Sequence, residues 1–131
     1  MKKKYWHGRH TTHRNMYHLV WLPKYRKKIL SGAVKERLEE LFKTCAEVNS
    51  WEMQELNIQP DHVHMVIQIP PSIAVCKVVQ FFKGASSKVI RDEIPEVKKF
   101  LLGKDFWADG YFFETFGHCS EETILNYVRN Q

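Results

Sequence analysis

Two histidines separated by one residue, His62 and His64, lie within an otherwise apolar run of the chain. On a β-strand, residues i and i+2 project from the same face, so the two imidazoles would point the same way and lie close together. A buried, hydrogen-bonded histidine is commoner than a metal ligand, but two neighbouring imidazoles repel when both are protonated and fill space less well than Val or Ile. Because a divalent metal binds neutral imidazole, it would remove that repulsion. The spacing therefore predicts a metal site on a strand.

Two imidazoles rarely suffice to hold a metal, so a third ligand is expected from elsewhere in the chain. Mg²⁺ and Mn²⁺ prefer oxygen donors, with water and phosphate completing the coordination shell. Four side chains are candidates by residue type and remain open at this point: Asp61, Glu114, His118 and Gln131.

A tyrosine near the C-terminus, Tyr127, is the candidate nucleophile. Tyrosines on helices usually pack against a core with a solvated hydroxyl, but Tyr127 and Gln131 are four residues apart and would project from one helix face. If that face meets the histidines, Gln131 would complete the metal site while Tyr127 reaches a phosphate. A phenol is a poor nucleophile at neutral pH, but a metal on the scissile phosphate stabilises the leaving 3′-oxygen. The combination favours phosphodiester cleavage through a covalent phosphotyrosine.

The hydrophobic pattern predicts the elements that would position these residues. One stripe of apolar residues at helical spacing runs from Val34 to Val48, and a second begins after Ser72, a candidate N-cap. An Asp-Gly turn divides a late aromatic segment into a predicted hairpin. In chain order the predicted elements are a strand at 16–26, a helix from 32, strands at 51–59 and 62–69, a helix after 72, a hairpin at 106–117 and a helix capped by Ser120.

This order, β-α-β-β-α-β followed by a helix, is typical of an α+β, ferredoxin-like split βαβ fold. Such a fold has an antiparallel sheet with helices on one face, and its first and third strands are central neighbours. His62 and His64 would then lie on a central strand, and the C-terminal helix would carry Tyr127. The length of 131 residues predicts a single domain spanning 1–131.

Basic charge is concentrated at the N-terminal end of the chain. Residues 1–28 carry nine Lys and Arg and no acidic residue, whereas the remainder has eleven basic and fifteen acidic residues. Residues 1–15 are expected to form a basic arm, and the aromatic side chains between the cations suit unpaired bases as well as phosphates. The alternative is a solubilising tail followed by an ordinary edge strand.

The remaining composition narrows the class of protein. Apolar stretches are short and interrupted by charge, which predicts neither a membrane span nor a signal peptide. Three scattered cysteines without CxxC spacing predict buried thiols in a reducing cytoplasm rather than a zinc site.

Five segments of the chain together resemble the single-tyrosine HUH transposases of bacterial and archaeal insertion sequences, the TnpA-type enzymes that move single-stranded DNA. The likeness begins at about residue 13 and extends over nearly all of the remaining chain. Their combination is highly specific, whereas the His-x-His pair alone would be a weak signal. The segments are His18–Arg26, Pro60–His64, Phe81–Lys88, Trp107–Phe112 and Ser120–Tyr127.

The resemblance implies a metal-dependent tyrosine DNA endonuclease and strand transferase, with Mg²⁺ or Mn²⁺ held by His62, His64 and Gln131. Tyr127 would form a 5′-phosphotyrosine and free a 3′-hydroxyl. The resemblance also implies a homodimer with one continuous sheet, a tyrosine helix that can complete the partner's site, and single-stranded DNA ends recognised as hairpins. Contacts to the hairpin do not carry over from the family, so the candidates rest on charge alone. They are Lys24, Arg26, Lys27, Lys28, Lys83 and Lys88.

Two other functions remain open on the sequence. A host-adopted relative, or a replication-initiator-like enzyme, would nick hairpin repeats with the same chemistry. A non-catalytic nucleic-acid-binding module of the same fold would keep its histidines for structural reasons and would form no covalent product.

Overall fold

Short runs of β-branched and long apolar side chains build the sheet of this protein, and two amphipathic helices cover it. The structure, a computed structural model, describes residues 6–7, 12–13, 16–101 and 105–115. Its elements are β1 (Trp6–His7), β2 (Thr12–His13), β3 (Met16–Trp21), a 3₁₀ turn (Lys24–Arg26), α1 (Gly32–Val48), β4 (Glu52–Gln59), β5 (His62–Gln68), α2 (Val75–Glu93), α3 (Glu96–Phe100) and β6 (Phe112–Thr115).

Four strands form one antiparallel sheet in the order β4-β5-β3-β6, and β1 pairs separately with β2. The tight turn at Pro60 and Asp61 makes β4 and β5 neighbours. β3 lies on the other side of β5, with Trp21 opposite Val63. The predicted α+β fold, with β3 and β5 as central neighbours, is thereby confirmed among the described residues. The predicted C-terminal helix lies outside them.

The pleat of the sheet divides its side chains between two faces. α1 and α2 pack side by side over one face, which we call the helix face, and their apolar stripes form the core with it. We call the other the histidine face. The helix face is defined by Leu19, Trp21, Val63, Met65 and Ile67, and the histidine face by His18, Val20, His62, His64, Val66 and Gln68.

The start of α2 differs from the prediction. Ser72 does not cap this helix, which begins at Val75 with Ala74 at the N-cap position and no side-chain cap. A turn comes first, because the Ile73 N–H donates to the Pro70 carbonyl at 3.4 Å. No helix in the described part of the chain is long and apolar enough to cross a membrane.

The predicted first strand and the predicted aromatic hairpin are both shorter than expected. β3 ends at Trp21, and Pro23 makes only an isolated bridge to Trp107. Of the hairpin, only the second arm is a strand among the described residues. The first arm is buried instead, and Nε1 of Trp107 donates to Oγ of Ser86 on α2 at 2.9 Å. Its aromatic side chains fill the core, so this segment does not pair across the turn.

Candidate active site

The two histidines of β5 lie side by side on the histidine face, as their spacing predicts. Their ring centroids are 4.5 Å apart, and the ring planes are nearly perpendicular at 85°. The side chain of His62 is 23% exposed, whereas His64 is buried. The pair is therefore reached from solvent on the side of His62.

Asp61 and Arg26 hold the outer imidazole. Oδ1 of Asp61 lies 2.7 Å from Nδ1 of His62, and Oδ2 accepts a hydrogen bond from Nε of Arg26 at 3.0 Å. Burial acts to raise the pKa of Asp61, but the hydrogen bond with His62 and the charges of His62 and Arg26 outweigh it and hold this pKa below its usual range. An ionised Asp61 accepts a hydrogen bond from Nδ1–H, so Nε2 is the nitrogen of His62 that can offer a lone pair to a metal.

A third histidine, His18 on β3, extends the pair into a cluster. It lies diagonal to His64, because His18 is opposite Val66 and Val20 is opposite His64. Nε2 of His18 is 3.1 Å from Nδ1 of His64, and the two rings stack with centroids 5.4 Å apart. On its other side, Nδ1 of His18 lies 4.0 Å from Oε2 of Glu114 on β6. His64, the inner imidazole of the pair, thus contacts the imidazole of His18. His62, the outer one, contacts the carboxylate of Asp61.

The two buried histidines of this cluster are neutral near pH 7. Burial, followed by the charges of His62 and His18, lowers the pKa of His64 to about 4. Burial also lowers the pKa of His18, although Glu114 opposes it. Since metals bind the neutral form of imidazole, the electrostatics of the site suit His64 as a ligand.

Two of the candidates for a third ligand lie among the described residues, and two lie outside them. The carboxylate of Asp61 is engaged by His62 and Arg26, and that of Glu114 faces His18. Among the described residues, no group of three or more His, Cys, Asp or Glu side chains could hold a metal ion. Three predicted residues lie outside the described ranges: His118, Gln131 and the nucleophile Tyr127.

Two amides of β4 adjoin the imidazole pair, and sequence reasoning did not single them out. Asn57 is opposite His64, and Gln59 is opposite His62. Nε2 of Gln59 donates to Oδ1 of Asn57 at 2.8 Å. The role of His18 was missed as well. The available signal for these residues was a polar side chain at alternate positions of a strand, which acquires meaning only when the strand register is known.

Of the six basic candidates, Arg26 is the one whose hydrogen bond leads to the pair, because its partner Asp61 also contacts His62. The Arg26 side chain is 67% exposed, and its guanidinium has donors besides Nε for a phosphate. Arg26 belongs to a turn in which Tyr25 and Arg26 both have positive φ, 59° and 50°. This left-handed backbone costs roughly 1–2 kcal/mol per residue. The same segment carries Lys24 and, exposed at its end, Lys27 and Lys28.

The other two candidates lie on α2, which covers the opposite face of the sheet. Nζ of Lys83 donates to the carbonyls of Ala108 at 2.9 Å and Gly110 at 2.8 Å, and burial lowers its pKa. Lys88 is exposed and pairs with Asp92 at 2.8 Å. The structure does not bring these lysines to the imidazole pair. The two hydrogen bonds of Lys83 stabilise the loop before β6.

Comparison with known proteins identifies relatives over nearly the full chain. Residues 11–131 match the family described as Transposase IS200 like. The chain is 31% identical over 124 residues to the ISDra2 transposase TnpA of Deinococcus radiodurans, covering 95% of this chain and 89% of that protein. It is 28% identical over 122 residues to the transposase for insertion sequence element IS200 of Salmonella typhimurium, covering 93% and 80%.

Two solved structures are similar to this chain. A crystal structure of a Deinococcus radiodurans protein assigned as a transposase superposes with a TM-score of 0.77 at 30% identity, covering 100% of this chain and 98% of that one. A REP-associated tyrosine transposase bound to a REP hairpin shares the fold, with a TM-score of 0.61 at 11% identity over 98% of this chain and 67% of that one. The family and the class of enzyme expected from the motifs, a DNA transposase, are confirmed. The chain belongs to the family of IS200-like transposases.

Proposed function

We propose that this protein cleaves and rejoins single-stranded DNA at the hairpin-marked ends of an insertion sequence, through a 5′-phosphotyrosine on Tyr127. Residues 1–131 act as one domain, and Mg²⁺ or Mn²⁺ is held by His62, His64 and Gln131. The observation that carries the proposal is the imidazole pair on β5, two rings 4.5 Å apart whose Nδ1 atoms both have a partner.

The donor atoms of the pair fit a divalent cation. Asp61 engages Nδ1 of His62, and His18 engages Nδ1 of His64, so Nε2 of each ring is the atom left for a metal. Histidines that ligate metals commonly give their other ring N–H to such a partner. Oxygen atoms of Gln131 and of the DNA phosphate would complete a shell suited to Mg²⁺ or Mn²⁺. A cation bound there would withdraw charge from the scissile phosphate and stabilise the leaving oxygen.

The reaction exchanges one phosphate ester for another. The hydroxyl oxygen of Tyr127 attacks phosphorus, an O–P bond forms, and the bond from phosphorus to the 3′-oxygen breaks. The phenol loses its proton and the leaving oxygen gains one, which yields a 5′-phosphotyrosine and a free 3′-hydroxyl. Attack by another 3′-hydroxyl then releases Tyr127 and joins the strands. Because an ester bond is kept at each step, the exchange needs no ATP.

The basic residues after β3 are positioned to guide DNA to this site. Arg26 contacts Asp61, the partner of His62, so a phosphate held by its remaining N–H groups lies beside the imidazole pair. Lys24, Lys27 and Lys28 add charge along the same segment, which strengthens binding to the phosphate backbone. Lys88, and the remaining N–H of Lys83, contribute to DNA binding at a greater distance from the chemistry.

The exposed edge of the sheet supports a homodimer joined through β6. Among the described residues, β6 pairs only with β3, and Phe112 and Phe113 are 52% and 48% exposed. An exposed apolar edge strand is a template for another strand. A second copy paired along β6 would give a closed, two-fold contact and one continuous sheet.

Formation of the covalent intermediate tests the proposed function. The protein is incubated with Mg²⁺ and a labelled single strand that contains an element end, and products are resolved on a denaturing gel. We expect a protein–DNA adduct that is lost in Tyr127→Phe and kept in Tyr111→Phe, a control on a tyrosine at the edge of the sheet. An undiminished adduct in Tyr127→Phe would contradict the assignment of the nucleophile. Hairpin binding with no adduct would indicate a non-catalytic module, and the absence of terminal palindromes beside the gene would indicate a host-adopted enzyme.

A further inference from the structure

We propose that His18 is a positioning residue that selects the tautomer of His64 and so leaves Nε2 of His64 available to the metal. This role rests on the metal site proposed above and concerns a residue that is not itself a ligand. It follows from three contacts that connect Glu114, His18 and His64 across neighbouring strands of the sheet.

The first contact joins two ring nitrogens, Nε2 of His18 and Nδ1 of His64, at 3.1 Å. Between two neutral imidazoles, only one of these atoms carries the hydrogen. If His18 donates, the hydrogen of His64 lies on Nε2, and that atom has no lone pair for a metal. If His64 donates, its Nε2 has the lone pair, and the hydrogen of His18 lies on Nδ1. The direction of one hydrogen bond therefore decides whether His64 can be a ligand.

The second contact favours donation from His64 to His18. Oε2 of Glu114 lies 4.0 Å from Nδ1 of His18, which is too long for a direct hydrogen bond but short enough for a strong charge–dipole interaction. A negative charge there stabilises a hydrogen on Nδ1 of His18. Nε2 of His18 then accepts from His64, and the lone pair of His64 is turned toward the site.

The third contact fixes the orientation of the rings. His18 and His64 stack with an angle of 19° between their planes, and the ring of Phe112 meets His18 edge-on at 6.4 Å. His18 is 1% exposed. At such a position an apolar side chain would avoid the desolvation of imidazole, and the hydrogen bond with His64 is one interaction that an apolar side chain could not make.

Metal affinity measures this role without reference to catalysis. Mn²⁺ binding to the purified full-length chain is followed by calorimetry for the native protein and for His18→Phe, His18→Gln and Glu114→Gln. We expect His18→Phe to weaken binding by about 10–100-fold, the range seen when the partner of a metal ligand is removed. His18→Gln retains an acceptor and should lose less, and Glu114→Gln should lose least. Glu36→Gln on the exposed side of α1 is the control and should bind as the native protein does.

The tautomer itself is read from ¹⁵N resonances of the metal-free protein, which a mere packing role would not change. We expect His64 to carry its hydrogen on Nδ1 in the native protein, and the Nε2–H form to be populated in His18→Phe. If His18→Phe does not fold, the same shift is sought in His18→Gln and Glu114→Gln. A native His64 protonated on Nε2, or unchanged Mn²⁺ affinity in folded His18→Phe, would overturn the proposal. His64→Ala separates the two ideas: if it too retains full affinity, the metal site itself is wrong, and if it alone loses affinity, only the role of His18 is wrong.

Discussion

Both faces of the sheet contain fully buried side chains, but those side chains differ in kind. On the helix face, Leu19 and Met65 are 0% exposed and pack against the apolar stripes of α1 and α2. On the histidine face, Val66 and Gln68 are also 0% exposed and His18 is 1% exposed. The helix face buries apolar side chains, whereas the histidine face also buries polar imidazole and amide groups.

This difference separates the source of stability from the source of chemistry. Apolar burial stabilises the fold by roughly 25 cal/mol per Å² and needs no particular partner. A buried imidazole is stable only if its nitrogens have partners, since an unsatisfied polar group costs about 1–3 kcal/mol. His62 and His64 have such partners in Asp61 and His18. The histidine face therefore gives up some stability in return for two imidazoles whose orientation is fixed by hydrogen bonds.

Removing the inner imidazole, His64, should have the largest effect on activity and little effect on DNA binding. We expect His64→Ala to slow DNA cleavage by about 10³-fold or more, because the several kcal/mol of transition-state stabilisation supplied by a held cation would be lost. Hairpin binding should change little, because phosphate contacts elsewhere supply affinity. Single-turnover cleavage and fluorescence anisotropy measure the two quantities, and a parallel loss of both would contradict the separation.

Replacing Met65, which follows His64 but lies on the helix face, should lower stability and leave cleavage unchanged. Met65→Ala creates a cavity under α1 and α2, and we expect it to lower the free energy of unfolding by about 2–5 kcal/mol. The cleavage rate per folded molecule should stay at the native value. Urea unfolding and cleavage assays on the same preparation check this, and a fully folded Met65→Ala with the defect of His64→Ala would show that the faces are not independent.

Acid should weaken the fold through the histidine face. The pKa of His64 is 6.5 in the unfolded chain and about 4 when folded, so the unfolded state takes up the proton first. The free energy of unfolding is therefore unaffected by this group above pH 6.5 and falls as the pH drops toward 4, by on the order of 2–3 kcal/mol. In His64→Gln, the decrease between pH 6.5 and 4.5 should be smaller. Urea unfolding across this range tests it, and identical acid dependence in both proteins would contradict the prediction.

The smallest expected effect is on dimerisation through β6, a strand at the edge of the sheet. Phe113→Glu places like charges near the two-fold axis of a β6–β6 contact, and we expect it to weaken the dimer by about tenfold. Val48→Glu is the matched control, because Val48 is an apolar side chain that is 77% exposed and lies at the end of α1 rather than on the sheet. Sedimentation equilibrium measures both. A native chain that stays monomeric, or a Phe113→Glu dimer of native strength, would contradict this assembly.

The arrangement of the sheet and of the imidazole pair could be predicted because it follows from local rules. The two-residue period of a strand places His62 and His64 on one face whatever the strand pairs with. A turn at Pro60 and Asp61 makes the flanking strands neighbours. Tyr127 and Gln131 stay predictions, since both lie outside the described residues.

The remaining features depend on contacts between distant segments. The aromatic residues before the Asp-Gly turn predict a hairpin arm, but the ring of Trp107 lies in the core, where its Nε1 donates to Oγ of Ser86 on α2. The contact between His18 and His64 requires the register of two strands that are far apart in sequence. Arg26 reaches Asp61 from a left-handed turn that contains no glycine to signal it.

The proposed chemistry depends on one cation that is bound by both His62 and His64. Pulsed electron paramagnetic resonance of Mn²⁺ bound to the chain, with histidine labelled by ¹⁵N, reports the nitrogens that coordinate the ion. Coordination by both histidines predicts couplings to two imidazole nitrogens in the native protein and to one in either His62→Ala or His64→Ala. Bound Mn²⁺ that couples to no histidine nitrogen, or that still couples to two in His64→Ala, would contradict it.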